Sequence, residues 1–179
     1  MTAGPGLTRD SVLTSKKVLR VAEVLQIPVY VTTQSRAKLG DTVSELKPLV
    51  GKAVANVDKT CFSMWIPELS QHFKTSAPSE VVIVGIESHI CVTQTTLDLL
   101  ANGHKVYVLA DGVSSCNKEE IPVALDRLRN EGAIVTTSES WMYECIGDAG
   151  ITEFRDIIKL VKETSDDTKE TLGALLSRI

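Results

Sequence analysis

Two segments place reactive side chains where a backbone can activate them. In one, the apolar run Val81-Val82-Ile83-Val84-Gly85-Ile86 gives way to Glu87-Ser88-His89-Ile90-Cys91, so a thiol falls near the first turn of the helix that follows. In the other, Asp58-Lys59-Thr60-Cys61-Phe62-Ser63 sets a lysine beside an acid. The N–H groups and positive dipole end of a helix start favour a thiolate, and a thiolate is a nucleophile. The same residue types also have plainer uses. A lone cysteine on an amphipathic helix is more often a small core hydrophobe. Lys59 fits a solvated surface, His89 a helix start, and Gln34 and Asp111 can cap local backbone. Glu87 and His89, two apart at a helix start, do not face each other and make no acid–base pair. Cys61, Cys116 and Cys145 have no comparable strand-to-helix placement.

The elements that must position these groups alternate along the chain. Val12, Leu13, Val18, Leu19, Val21, Ala22 and Leu25 fall at helical spacing, which predicts an amphipathic helix over Ser11 to Leu25. Ile27 to Thr33 is short, β-branched and apolar on both faces, as a strand covered by helices should be. The pattern recurs: Val81 to Ile86 feeds a helix near Ile90 to Asn102, and Lys105 to Ala110 feeds one near Glu119 to Asn130. Gly103 and Gly132 sit where helix C-caps belong. Ala133 to Thr136 reads as a last short strand, and helices are predicted to about Gly147, over Thr152 to Glu163 and over Lys169 to Arg178. Such alternation implies parallel strands in a three-layer, doubly wound α/β sandwich of the Rossmann-like kind, here taken as one domain over residues 1–179. In open parallel sheets ligands collect beyond the carboxyl ends of strands, where Gln34, Glu87 to Cys91 and Asp111-Gly112 lie. Gln34 to Ser63 is irregular and rich in turns, a character that often marks functional segments.

Composition removes several function classes. With 19 basic against 23 acidic residues and no basic run longer than Lys16-Lys17, the chain lacks the phosphate-neutralising surface of a nucleic-acid binder. No apolar run approaches the roughly 20 residues of a membrane span, and Met1 to Asp10 lack a signal-peptide core, so the expected compartment is cytoplasmic. The four cysteines form no C-x-x-C pair and the three histidines no paired-ligand motif, so neither metal nor cofactor is expected.

The segment Val84-Gly85-Ile86-Glu87-Ser88-His89-Ile90-Cys91-Val92-Thr93-Gln94-Thr95-Thr96-Leu97-Asp98-Leu99-Leu100, with Asp58 to Met64 upstream, resembles the isochorismatase-like cysteine hydrolase family. Ile27 to Gln34, Leu39 to Leu46, Ala110 to Ser115 and Val135 to Glu139 add collinear matches from about Leu13 to Lys162, leaving 163–179 as a C-terminal helical extension. The resemblance implies a triad of aspartate, lysine and cysteine, with Cys91 as nucleophile and Lys59 as its electrostatic partner. It implies a cis peptide between Ile86 and Glu87 that turns the N–H groups of Glu87 and Cys91 toward a developing oxyanion, with Gln34 and Phe62 also at the substrate. It further implies a small-molecule substrate and a homo-oligomer.

The family pattern also begins with an apolar strand ending in aspartate, ahead of the helix from Leu13 to Leu25. Aligned on Pro28, that aspartate falls before Met1, and Asp10, just ahead of the first helix, does not take its role. The expectation is therefore a fold whose first strand is missing and a site short of its acid. Ser35 to Asp41 lack the histidines of nicotinamide-hydrolysing relatives, so that substrate is not expected. The presence of Cys91 points to a carbonyl, amide or isochorismate-like metabolite. The alternative is a degenerate or truncated member acting as a binding or regulatory oligomer.

Overall fold

In the computed structural model, which describes residues 8–73 and 77–176, the chain begins with helix α1 (Arg9–Val24). Thr8 caps it by accepting from the Ser11 N–H at 3.3 Å, and Thr14, Val18, Val21 and Ala22 form its buried stripe. Then come β1 (Tyr30–Gln34), α2 (Arg36–Leu39), β2 (Ala55–Lys59), α3 (Pro67–Ser70), β3 (Glu80–Ile86) and α4 (Thr93–Ala101). The chain continues through β4 (Lys105–Ser114), α5 (Glu120–Asn130), β5 (Ile134–Thr136), α6 (Ser138–Ile146), α7 (Phe154–Glu163) and α8 (Ser165–Leu176). Most of these elements lie within two or three residues of their sequence expectations. Gly103 and Gly132 end their helices with φ of +82° and +101°, as C-cap glycines do. The last helix begins at Ser165 rather than Lys169, and its expected end at Arg178 lies outside the described residues.

One expectation needs correcting: the segment from Gln34 to Ser63 is not irregular throughout, because it contains strand β2. Ala55-Asn56-Val57-Asp58-Lys59 alternates half-buried and exposed residues and has one strand neighbour, so it lacks the continuous apolar run of its sheet partners.

The β1–β2, β3–β4 and β4–β5 ladders are parallel. β1 pairs with β2 from Tyr30 opposite Ala55 to Gln34 opposite Lys59, and a second sheet has the order β3-β4-β5. Among the described residues no ladder joins β1 to β3. β4 is the strand around which the layers form. Val106, Val108 and Ala110 face α4 and α5, packing with Leu99, Ile121, Leu125 and Leu128. Tyr107 and Leu109 face the other way, onto Val18, Val21, Trp141, Met142, Ile157 and Leu160 of α1, α6 and α7. A parallel strand covered on both faces is apolar on both, and each fully buried Leu or Val contributes about 1.5–3 kcal/mol.

β4 bulges beside β3: Ile83 pairs with Val108 but Gly85 pairs with Val113. Within the bulge the buried Asp111 carboxylate accepts from the Ser138 N–H at 2.8 Å and the Ser138 hydroxyl at 2.5 Å, closing the start of α6. Gly112 is there for space. A Cβ on it would lie 2.7 Å from Val84 Cγ1 and 3.2 Å from Thr14 Cγ2, inside contact distance of both β3 and α1.

Candidate active site

The strand-to-helix switch after β3 is where the thiol sits. Glu87 is extended, and the bond before it, Ile86–Glu87, is cis as the family pattern implies. Ser88 to Val92 then form one wide turn, with the Val92 N–H donating to Glu87 O at 3.1 Å, before α4 proper begins at Thr93. The thiol therefore lies in a π-type turn rather than in the first α-helical turn that the sequence suggests, a distortion frequent at functional sites.

The turn is fastened to the end of β4. The Ser88 N–H donates to Ser115 Oγ at 3.0 Å, the Ser88 hydroxyl to Ser114 O at 2.9 Å, and His89 Nδ1 pairs with Ser115 Oγ at 3.0 Å. Glu87 accepts from the Cys116 N–H at 2.6 Å. Glu87 thus braces the Cys116 backbone and His89 the Ser115 side chain, both just past the end of β4. Cys91 itself is half-buried, whereas Cys61, Cys116 and Cys145 are exposed, and all four are free thiols.

Lys59 ends β2 and is 6% exposed. Its ammonium donates to Gln34 Oε1 at 2.7 Å, to Cys61 O at 2.8 Å and to Phe62 O at 2.8 Å, and lies 4.0 Å from Cys91 Sγ. An ammonium has three N–H donors, and three neutral oxygens take them all. Cys91 Sγ is consequently a charge neighbour of Lys59 more than a hydrogen-bond acceptor. Burial pushes the Lys59 pKa below its usual value, while negative charge on Cys91, then Cys61 and Asp58, pulls it back up. A buried ammonium ringed by uncharged acceptors is costly unless an anion stands close, and the group at 4.0 Å is a thiol that can become one.

Gln34 is committed on both sides of its amide, accepting from Lys59 and donating to Thr60 O at 2.7 Å. Phe62 meets the lysine through its carbonyl; its ring is 49% exposed beside the site. Asp58 points elsewhere: it accepts from the Thr33 hydroxyl at 2.8 Å and the Arg36 N–H at 2.9 Å, and the Arg36 bond above all holds its carboxyl below the ordinary range. Asp111 is taken up by Ser138, the capping use that its residue type allowed. Asp10 lies in the first turn of α1. Among the described residues no cluster of His, Cys, Asp or Glu could hold a metal ion, and no helix is long and apolar enough to cross a membrane.

Nothing in the residue pattern singles out Thr95. The residue, in the first turn of α4 and 4% exposed, accepts at its hydroxyl from the Met64 N–H at 2.9 Å and donates to Cys91 O at 2.6 Å. One side chain joins the loop after Lys59 to the backbone of the thiol.

Residues 3–140 match the family model described as Isochorismatase domain. A secreted isochorismatase effector of Phytophthora sojae is 43% identical over 150 residues, covering 82% of this chain and 71% of that protein. Isochorismatase domain-containing protein 2 of Homo sapiens is 40% identical over 154 residues, covering 85% of this chain and 73% of its own. Among solved structures, the MAR1 ribonuclease from Caenorhabditis elegans aligns with a TM-score of 0.80 at 38% identity, over 85% of this chain and 78% of that one.

Proposed function

This chain belongs to the isochorismatase family of hydrolases, and from that premise we propose that it is a cysteine hydrolase in which Cys91 attacks a small carbonyl, amide or isochorismate-like metabolite. One observation carries the reading: the buried Lys59 ammonium, its donors taken by Gln34, Cys61 and Phe62, stands 4.0 Å from Cys91 Sγ. Lys59 supplies the fixed positive charge that makes the thiolate the favoured partner at that position. The sulfur adds to the carbonyl carbon, and the negative charge passes to the carbonyl oxygen, which the N–H groups of Glu87 and Cys91 receive. Collapse breaks the bond to the leaving group, which takes a proton from water, and leaves a thioester; the hydroxide so formed adds to the thioester carbon, the carbon–sulfur bond breaks, and the acid departs while sulfur returns to its thiolate form. Gln34 serves by holding Lys59, and the exposed Phe62 ring offers an apolar wall to substrate.

The ribonuclease activity in the name of the Caenorhabditis elegans protein is that protein's. At a net charge of −4 we read the substrate here as a small molecule and not a nucleic acid. We read the working form as a cytosolic homo-oligomer of single-domain chains, which light scattering at micromolar concentration tests against a monomer of 19.4 kDa. The nucleophile is tested by limiting iodoacetamide with mass-spectrometric mapping. Cys91 is labelled first, and hydrolysis is lost in proportion; earlier labelling of Cys61, Cys116 or Cys145 overturns the reading.

A further inference from the structure

We propose that Thr95 is a positioning residue whose hydroxyl keeps the Lys59 ammonium at the Cys91 thiol by holding the loop from Cys61 to Trp65 against α4. The inference rests on the reading of Cys91 as nucleophile and names what sets its charge partner in place.

Two of the three acceptors that fix the Lys59 ammonium, Cys61 O and Phe62 O, belong to a loop outside any helix or strand. The position of the ammonium therefore depends on that loop as well as on Gln34 at the end of β1. Two of its bonds are internal: the Trp65 N–H donates to Ser63 Oγ at 3.0 Å, and the Ile66 N–H to Met64 O at 2.8 Å. The Met64 N–H instead crosses to Thr95 Oγ1 at 2.9 Å, and the same hydroxyl donates to Cys91 O at 2.6 Å. One oxygen thus ties the loop that cradles the cation to the backbone that carries the sulfur. A hydroxyl that donates is polarised into a better acceptor, so the two bonds reinforce each other. At 4% exposure the oxygen has little water to replace either partner.

Thr96 provides the comparison. It makes the same kind of bond four residues back, its hydroxyl donating to Val92 O at 2.8 Å, and is fully buried. A hydroxyl bonding back along its own helix is a common local habit. Acceptance from a loop N–H is what sets Thr95 apart.

The test is the pH–rate profile for alkylation of Cys91 by iodoacetamide, followed by mass spectrometry on the intact chain. Thr95→Val keeps the shape and removes both bonds. It is expected to move the profile to higher pH and slow labelling near neutrality about tenfold. Thr95→Ser restores the parental profile. Thr96→Val lowers stability but leaves the profile in place. Met64→Pro, which deletes the loop donor while leaving Thr95 intact, reproduces the Thr95→Val shift and serves if that variant does not fold. A Thr95→Val or Met64→Pro profile that coincides with the parent overturns the inference, as does a Thr96→Val shift of equal size. If the parent is not labelled first at Cys91, the nucleophile reading fails and the inference fails with it; coincident profiles in a parent labelled at Cys91 sink the inference alone.

Discussion

Lys59 Nζ lies 4.0 Å from Cys91 Sγ with its hydrogen-bond donors directed elsewhere. With its shorter bonds made to three neutral oxygens, Lys59 acts on the sulfur mainly through its charge. Strength then depends on how well the three oxygens hold the ammonium, which ties reactivity to Gln34 and to the loop carbonyls.

Lys59→Met removes the charge and keeps much of the apolar stem. Alkylation of Cys91 near neutral pH and kcat/KM for hydrolysis are both expected to fall by about a hundredfold. Lys59→Arg is expected not to recover them, because a planar guanidinium fork cannot meet three oxygens arranged around a tetrahedral ammonium. Stopped alkylation followed by peptide mapping, with substrate turnover in parallel, checks both variants.

Asp111→Ala separates a structural carboxylate from a reacting one. Losing both bonds to Ser138 at the start of α6 is expected to cost about 2–3 kcal/mol in urea unfolding. The labelling rate of Cys91 in the folded variant stays within about twofold of the parent. A large loss of labelling at unchanged stability would place Asp111 in the chemistry instead.

Gly112→Ala puts a methyl 2.7 Å from Val84 Cγ1. Neither β3 nor α1 can yield freely, so a loss of about 1–3 kcal/mol is expected. Adding Val84→Ala removes the obstructing methyl, and the double variant should lose less than the sum of the two single changes in thermal or urea unfolding.

Lys17 tests the other buried ammonium. It is 4% exposed, donates to Thr168 Oγ1 at 3.0 Å, and has its pKa lowered by burial against the opposing pull of Asp111, Glu139 and Asp167. A lysine lowered on folding releases its proton earlier in the folded state than in the unfolded state. Between the lowered value and the ordinary 10.5 the unfolded chain holds more protons, so stability from this group rises with pH across that window. Lys17→Met is expected to match or exceed parental stability at neutral pH, by up to about 2 kcal/mol. Any advantage shrinks as pH climbs toward 10.5, which urea midpoints measured across the alkaline range will show.

Much of this architecture is legible in the residues because parallel strands and their covering helices leave continuous apolar runs and helical stripes. Tyr107 and Leu109 against one layer, and Val106 and Val108 against the other, account for the apolar run of β4. β2 is hidden because Asn56 and Asp58 interrupt the run that would announce a strand. Lys59 and Cys91 are visible as short motifs, and the structure brings them together. Phe62 enters through the family resemblance as a substrate residue, and in the structure its carbonyl accepts from Lys59. Thr95 cannot be picked out among Thr93, Thr95 and Thr96, since its distinction lies in a loop N–H contributed from a distant part of the chain.

Lys59 closes a strand of the β1–β2 ladder, and Cys91 follows a strand of the β3-β4-β5 ladder. Among the described residues the Cys91 sulfur and the Lys59 ammonium therefore belong to two separate ladders, and their separation depends on how one ladder sits against the other. A sideways slip of a single ångström along that seam would lengthen a 4.0 Å contact by up to a quarter while leaving every ladder bond intact. A substitution that tilts either ladder against the other is expected to change the rate of Cys91 labelling, which peptide mapping after limiting iodoacetamide measures.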